Sequence, residues 1–130
     1  MADDKSGRLR RHPEERFRAP QHEIDLEQAA AELAAEPVAA PHRHRQKTLY
    51  RHAGLTLALF LFDEGAGLAE HKADGVVTIQ VLQGRLKVSS EGQDHHLSPG
   101  QLLVLAPGVR HDVFAEQSSR TLLTVSREPK

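Results

Sequence analysis

The pattern of apolar and polar residues changes near residue 46. Before it, charged residues, proline and alanine dominate; after it, short apolar segments alternate with glycine-rich turns. Alternation with a period of two is typical of strands. The predicted strands are Thr48–His52, Leu55–Phe62, Val76–Leu82, Arg85–Ser89, His95–Leu97, Gln101–Leu105, Asp112–Ala115 and Thr121–Ser126. Short strands with almost no helix between them predict an all-β domain, an antiparallel barrel or sandwich.

The N-terminal part carries one helix signal. Asp25 is suited to cap a helix, and Gln28 lies at the capping-box position. Apolar residues on one helical face follow the cap: Leu26, Ala30 and Leu33. Because Pro37 ends the pattern, we predict a short helix over about residues 25–36. We therefore divide the chain into an N-terminal arm with its helix (1–45), which is not an independent domain, and a β-barrel (46–130).

The segment Leu55–Phe62 is apolar on both faces. One face carries Leu57, Leu59 and Leu61, and the other carries Ala58, Phe60 and Phe62. One set can fill the barrel, so the other must be covered by the helix or by a second copy of the chain. We expect a homodimer on this ground.

Composition narrows the classes of function. The chain has 130 residues, a formal net charge of −1 and no cysteine, which excludes disulfides and thiolate chemistry. Balanced charge gives no field that would hold nucleic acid or an anionic membrane. The charged N-terminus has no signal-peptide core, and the longest apolar run is too short to cross a bilayer. We expect a cytoplasmic protein with neither nucleic acid nor membrane as partner.

Two histidine-bearing stretches resemble the two motifs of the cupin superfamily. Residues 65–84 run from Gly65 through His71 to Gly84, and residues 100–115 contain Ala106-Pro107-Gly108-Val109-Arg110-His111. The first family motif is glycine, five residues, His-x-His, three or four residues, Glu, six residues, Gly. The second is glycine, five residues, Pro-x-Gly, two residues, His, three residues, Asn. The resemblance covers about residues 55–127 and implies a cupin-type jelly-roll barrel that forms homodimers.

The motifs depart from the family pattern at three ligand positions. In a metal-dependent cupin, two histidines and a glutamate of the first motif and the histidine of the second bind one divalent metal. Here His71 and His111 are retained, but Ala73, Val77 and Ala115 replace the second histidine, the glutamate and the asparagine. Two neutral imidazoles bring no negative charge and fewer ligands than the usual three. We assign no certain cofactor; any divalent transition metal (Fe, Mn, Ni or Zn) would bind weakly at His71 and His111.

A third ligand would have to come from elsewhere in the chain. Glu70 and Asp74 lie an odd number of positions from His71, so regular strand geometry turns them away unless the chain bends at Gly75. His42 and His44 share one potential strand face, and an arm folded over the barrel mouth could deliver them. They follow Pro41 in a polar linker, which favours solvent exposure.

The inferred pocket is mostly apolar with two polar points. Its predicted lining is His71, Ala73, Val77, Ile79, Val81, His111 and Ala115. Such a pocket suits a small, partly apolar ligand, and burial would lower a histidine pKa there. We therefore favour a small-molecule-binding cupin that is metal-free or weakly metallated, with no catalytic residue assigned.

Two enzymatic alternatives stay open. One is a metal-dependent oxygenase or isomerase that uses His71, His111 and an unrecognised third ligand. The other is a metal-free acid–base enzyme, which needs a paired acid that the inward face does not supply. The metal content of purified protein separates the first alternative from the binding function.

Overall fold

The described part of the chain, residues 16–37 and 43–128 of this computed structural model, folds into two antiparallel sheets with a helix on one of them. The elements are α1 (Leu26–Ala34), β1 (His44–His52), β2 (Leu55–Phe62), β3 (Gly67–His71), β4 (Val76–Gln83), β5 (Leu86–Ser90), β6 (Gln93–Leu97), β7 (Leu102–Leu105), β8 (His111–Ala115) and β9 (Ser119–Ser126). No helix in these ranges is long and apolar enough to span a membrane.

The two sheets face each other across one apolar core. One has the strand order β1-β2-β9-β4-β7 and the other β3-β8-β5-β6. Alternate residues of both sheets fill the space between them: Ala58, Phe60, Phe62, Val77, Ile79, Val81, Leu86, Val88, Val113 and Ala115. The arrangement is a jelly-roll barrel, which confirms the predicted fold class.

The helix covers the outer face of β2. The side chain of Asp25 accepts a hydrogen bond from the backbone N–H of Gln28 at 3.0 Å, which caps α1 as predicted. Leu33 of α1 packs with Leu49 of β1 and Leu59 of β2 in a second apolar cluster. This helix therefore covers the second apolar face of β2. The homodimer stays a prediction.

Two strands differ most from the prediction, and the bounds of the others agree to within two residues. Strand β3 was missed, because Gly65 and Gly67 indicate a break between strands. It pairs with β8 so closely that a Cβ atom on Gly67 would lie 1.9 Å from the carbonyl oxygen of Val113. Strand β1 begins at His44 rather than Thr48, inside the segment that was predicted to be a linker.

Candidate functional site

The pairing of β3 with β8 brings two histidines of distant motifs together. His71 is the register partner of His111, and their ring centroids lie 4.3 Å apart with the planes inclined by 58°. Along β8, His111, Val113 and Ala115 are buried and alternate with more exposed residues, so His111 faces the barrel interior. The predicted meeting of His71 and His111 is present in the structure.

Each ring is held by a backbone carbonyl two residues earlier. Nδ1 of His71 lies 2.8 Å from the oxygen of Ala69, and Nδ1 of His111 lies 3.2 Å from the oxygen of Val109. A carbonyl oxygen only accepts hydrogen bonds, so each Nδ1 carries the hydrogen and donates it. In the neutral form, each Nε2 therefore carries a lone pair.

The Nε2 atom of His111 is buried without a partner. Only 2% of this residue is exposed, and Nε2 makes no hydrogen bond within the described part of the chain. Burial is the main cause that lowers the pKa of His111; the carbonyl of Val109 raises it less strongly, and the neighbouring His71 lowers it further. The ring is therefore neutral near pH 7 and offers a buried hydrogen-bond acceptor.

A pocket of about 580 Å³ opens beside the two rings at one end of the barrel. Its lining is His71, Lys72, Ala73, Asp74, Val77, Gly108, His111, Leu123, Val125 and Arg127. The backbone N–H of Gly108 donates to the oxygen of Ala73 at 2.8 Å and ties the two motif loops together at this end. The pocket thus combines an apolar wall with imidazole and charged groups.

Four of the seven predicted pocket residues line it, namely His71, Ala73, Val77 and His111. The other three, Ile79, Val81 and Ala115, are fully buried in the barrel core. They face inward as predicted, but they lie further along their strands. Ile79 pairs with Leu123, Val81 with Thr121, and Ala115 with Leu86. In a barrel of this size, side chains from both sheets fill the middle and leave space only at the end.

The charged lining was not predicted. Asp74 lines the pocket and accepts a hydrogen bond from Nε of Arg127, although its side chain is largely exposed, so the strand alternation that would turn it away from His71 does not hold here. The reason is local, because residues 72–75 lie outside the strands and bend before β4, where alternation does not apply. Glu70 is exposed too, but it does not line this pocket; its carboxylate lies 3.8 Å from the guanidinium of Arg110 in an ion pair. Arg127 could have been found, since it continues the inward period-two series of Leu123 and Val125.

Two other cavities flank different parts of the fold. One of about 490 Å³ shares His111 and Gly108 with the first, but its remaining lining includes three carboxylates, those of Glu70, Glu91 and Asp112, and one cation, Arg110. Another, about 910 Å³, lies between α1 and β1 and is lined by neither of the paired histidines. Because His111 lines both the 580 Å³ pocket and the 490 Å³ cavity, these two cavities are the candidate functional sites.

His44 lies at the opposite end of the barrel. It pairs with Phe62 across β1 and β2, and its ring centroid is 6.1 Å from that of Phe60 and 5.8 Å from that of Phe62. The expectation of a solvated linker position is therefore wrong for His44, which is half-buried in a strand. His42 lies outside the described residues.

The donor set at the pocket does not fit a complete metal centre. Across residues 16–37 and 43–128, no three or more His, Asp or Glu side chains are grouped so that they could hold a metal ion. His71 and His111 supply two imidazole nitrogens, whereas zinc and non-haem iron sites usually take at least three protein ligands.

Comparison with known proteins gives the wider context. Residues 58–126, more than half of the chain, match the family model described as a cupin domain. No curated protein matches significantly. A conserved Streptococcus pyogenes protein of unknown function has a similar structure, with a TM-score of 0.69, 21% identity, and coverage of 84% of this chain and 90% of that one.

Two further solved structures are similar. A cupin superfamily protein from Desulfitobacterium hafniense has a TM-score of 0.65 and 19% identity, over 70% of this chain and 84% of that one. KdgF from Halomonas sp. has a TM-score of 0.61 and 26% identity, over 72% of this chain and 84% of that one. These likenesses support the barrel fold.

Proposed function

This chain belongs to the cupin family, and from that premise we propose that it binds a small, partly apolar molecule in the pocket beside His71 and His111. The observation that carries the proposal is the buried, unpartnered Nε2 of His111, a residue that lines this pocket. A buried polar atom without a hydrogen bond costs about 1–3 kcal/mol, which a ligand with an O–H or N–H donor removes.

The size and the wall of the pocket agree with such a ligand. Its volume of about 580 Å³ lies within the range of roughly 300–1,000 Å³ that is common for small-molecule sites. Val77, Leu123 and Val125 offer apolar surface, while the imidazoles offer directed acceptors. A branched apolar body with one hydrogen-bond donor satisfies both parts of the lining.

A metal-dependent enzyme is the second candidate. The observation that favours it is the anchoring of both Nδ1 atoms by carbonyls, since metal-binding histidines usually donate their second nitrogen in this way. It stands second because the described residues offer no third ligand near His71 and His111. For metal-free acid–base catalysis, Asp74 is the carboxyl group in the lining, but it is ion-paired with Arg127.

The first test is ligand binding followed by NMR. The probe is 3-methyl-1-butanol, which has a branched apolar body and one O–H donor, and its methyl ether is the matched compound without the donor. We expect shifts at Val77, Val125 and His111 with the alcohol and much smaller shifts with the ether. His111→Ala should abolish this preference, whereas His52→Ala, a change of an exposed histidine on β1, should leave it intact.

Metal content separates the two candidates. Protein purified without an affinity tag or chelator is measured by elemental mass spectrometry beside His71→Ala and His111→Ala. We expect no stoichiometric metal in any of the three. Near-stoichiometric metal that both variants lose would move the enzyme to first place.

A further inference from the structure

Arg127 is held in place at the rim of the pocket. Its backbone N–H donates to the oxygen of Gly54 at 2.8 Å, and its Nε donates to Asp74. Its side chain also lies against Gly75, where an added Cβ atom would come within 2.9 Å of the Arg127 Cγ. A cation that is already oriented loses little freedom when it binds a ligand. Arg127 is therefore preorganised for binding at the mouth.

The charges of the lining favour an anion. Besides the two imidazoles, the ionic groups of this pocket are Lys72, Arg127 and Asp74, so the cations outnumber the carboxylate. The bond to Asp74 uses one of the five N–H donors of the guanidinium and sets its plane. Arginine binds carboxylates through two parallel hydrogen bonds, a geometry that suits a small acid at this rim.

The neighbouring cavity has the opposite balance. Its lining includes the carboxylates of Glu70, Glu91 and Asp112 against the single cation Arg110. An anionic ligand is repelled there and attracted to the Arg127 side of His111. The shared position of His111 therefore does not leave the two cavities equivalent for a charged molecule.

An ionised carboxylate cannot satisfy His111. It only accepts hydrogen bonds, and so does the buried Nε2 of the neutral ring. A ligand that satisfies these groups needs a carboxylate for the rim, a hydroxyl donor for His111 and an apolar body for the apolar part of the lining. We propose that the ligand is a small hydroxycarboxylic acid, oriented by Arg127 and Lys72 at its carboxylate and by His111 at its hydroxyl. This inference rests on the proposed function, because it names the class of ligand for the same pocket.

The experiment is calorimetric titration with three matched probes: 2-hydroxy-3-methylbutanoate, its primary amide, and 3-methylbutanoate. We expect the hydroxy acid to bind about tenfold tighter than the amide, the effect of roughly one charge-assisted hydrogen bond. Arg127→Gln should remove this preference for the acid. The matched control is Arg120→Gln, near the start of β9, the strand that ends just before Arg127. Arg120 pairs with Leu61 of the outer face, and this change should leave the preference unchanged.

The hydroxyl is tested separately. We expect 3-methylbutanoate to bind several-fold more weakly than the hydroxy acid, and His111→Phe to bring the two acids to the same affinity. Circular dichroism and thermal unfolding check that each variant folds. If acid and amide bind equally, or Arg127→Gln weakens both alike, the inference is overturned.

The alcohol probe distinguishes the hydroxy-acid inference from the proposed function. If 3-methyl-1-butanol shifts the pocket signals while all three new probes fail to bind, the hydroxy-acid inference is wrong and the proposed function stands. If the alcohol also fails to bind there, both are wrong.

Discussion

His71 on β3 and His111 on β8 are direct register partners, with ring centroids 4.3 Å apart. Each ring donates through Nδ1 to the carbonyl two residues before it in its own chain segment. Both Nε2 atoms are therefore acceptors in the neutral state. Two acceptors cannot bond to each other without a proton between them, so His71 does not supply the hydrogen-bond donor that the buried Nε2 of His111 lacks.

The stability of the protein should depend on pH through His111. Burial lowers its pKa below the ordinary value of 6.5. As the pH falls below 6.5, the unfolded chain therefore binds a proton at His111 more readily than the folded protein does. Stability should therefore fall as pH drops below about 6.5 and stay level above it, as far as this group is concerned. Urea unfolding between pH 5 and 8 measures the slope, which should be shallower in His111→Gln. His52→Gln should keep the wild-type slope; identical slopes for all three proteins would contradict the prediction.

Restoring the family's ligands should create a metal site. Ala73 and Val77 both line the pocket with His71 and His111, so Ala73→His with Val77→Glu would bring two further donors to it. We expect Zn²⁺ or Mn²⁺ to bind the double variant more tightly than wild type by at least the ~100-fold that loss of an outer-shell partner alone can cost. Metal titration by calorimetry measures the gain. Adding His111→Ala should remove it, and a wild type that binds equally well would show that another ligand exists.

Gly84, the last glycine of the first motif, should not tolerate a side chain. Its φ is 90°, and an added Cβ would lie 2.3 Å from the carbonyl oxygen of Ser118. Gly92 has φ 76° but open space around it, so Gly92→Ala should cost only the conformational strain of about 1–2 kcal/mol. Gly84→Ala should cost clearly more, because the facing backbone must move. Chemical unfolding of the two variants makes the comparison, and equal losses would refute the steric explanation.

The contact between α1 and the barrel should contribute strongly to stability. Leu59 is completely buried under the helix, whereas Leu102 on β7 is 56% exposed. Leu59→Ala should lower the free energy of unfolding by about 2–5 kcal/mol, the usual cost of a cavity in a core. Leu102→Ala should stay within about 0.5 kcal/mol of wild type. A small effect of Leu59→Ala would mean that the helix is not firmly packed on β2.

The pattern of the chain was sufficient for most of the barrel. Period-two alternation located eight of the strands, and Asp25 with the apolar stripe located α1. The pattern failed at β3, because a strand that begins with glycine and touches its neighbour's backbone has no apolar alternation to reveal it. It also failed at His44, because the proline and the charged residues around it are typical of a linker.

The sequence by itself determined the fold and identified His71 and His111 as candidate site residues, because alternation and motif spacing can be read from residues close together in the chain. Only the tertiary structure decided what surrounds the histidines. The middle of the barrel is filled by Ile79 and Val81, and the space is left at the end, where Asp74 and Arg127 meet from separate loops. Residues 53 positions apart come together there because β4 and β9 pair along their length, a relationship that no local pattern records.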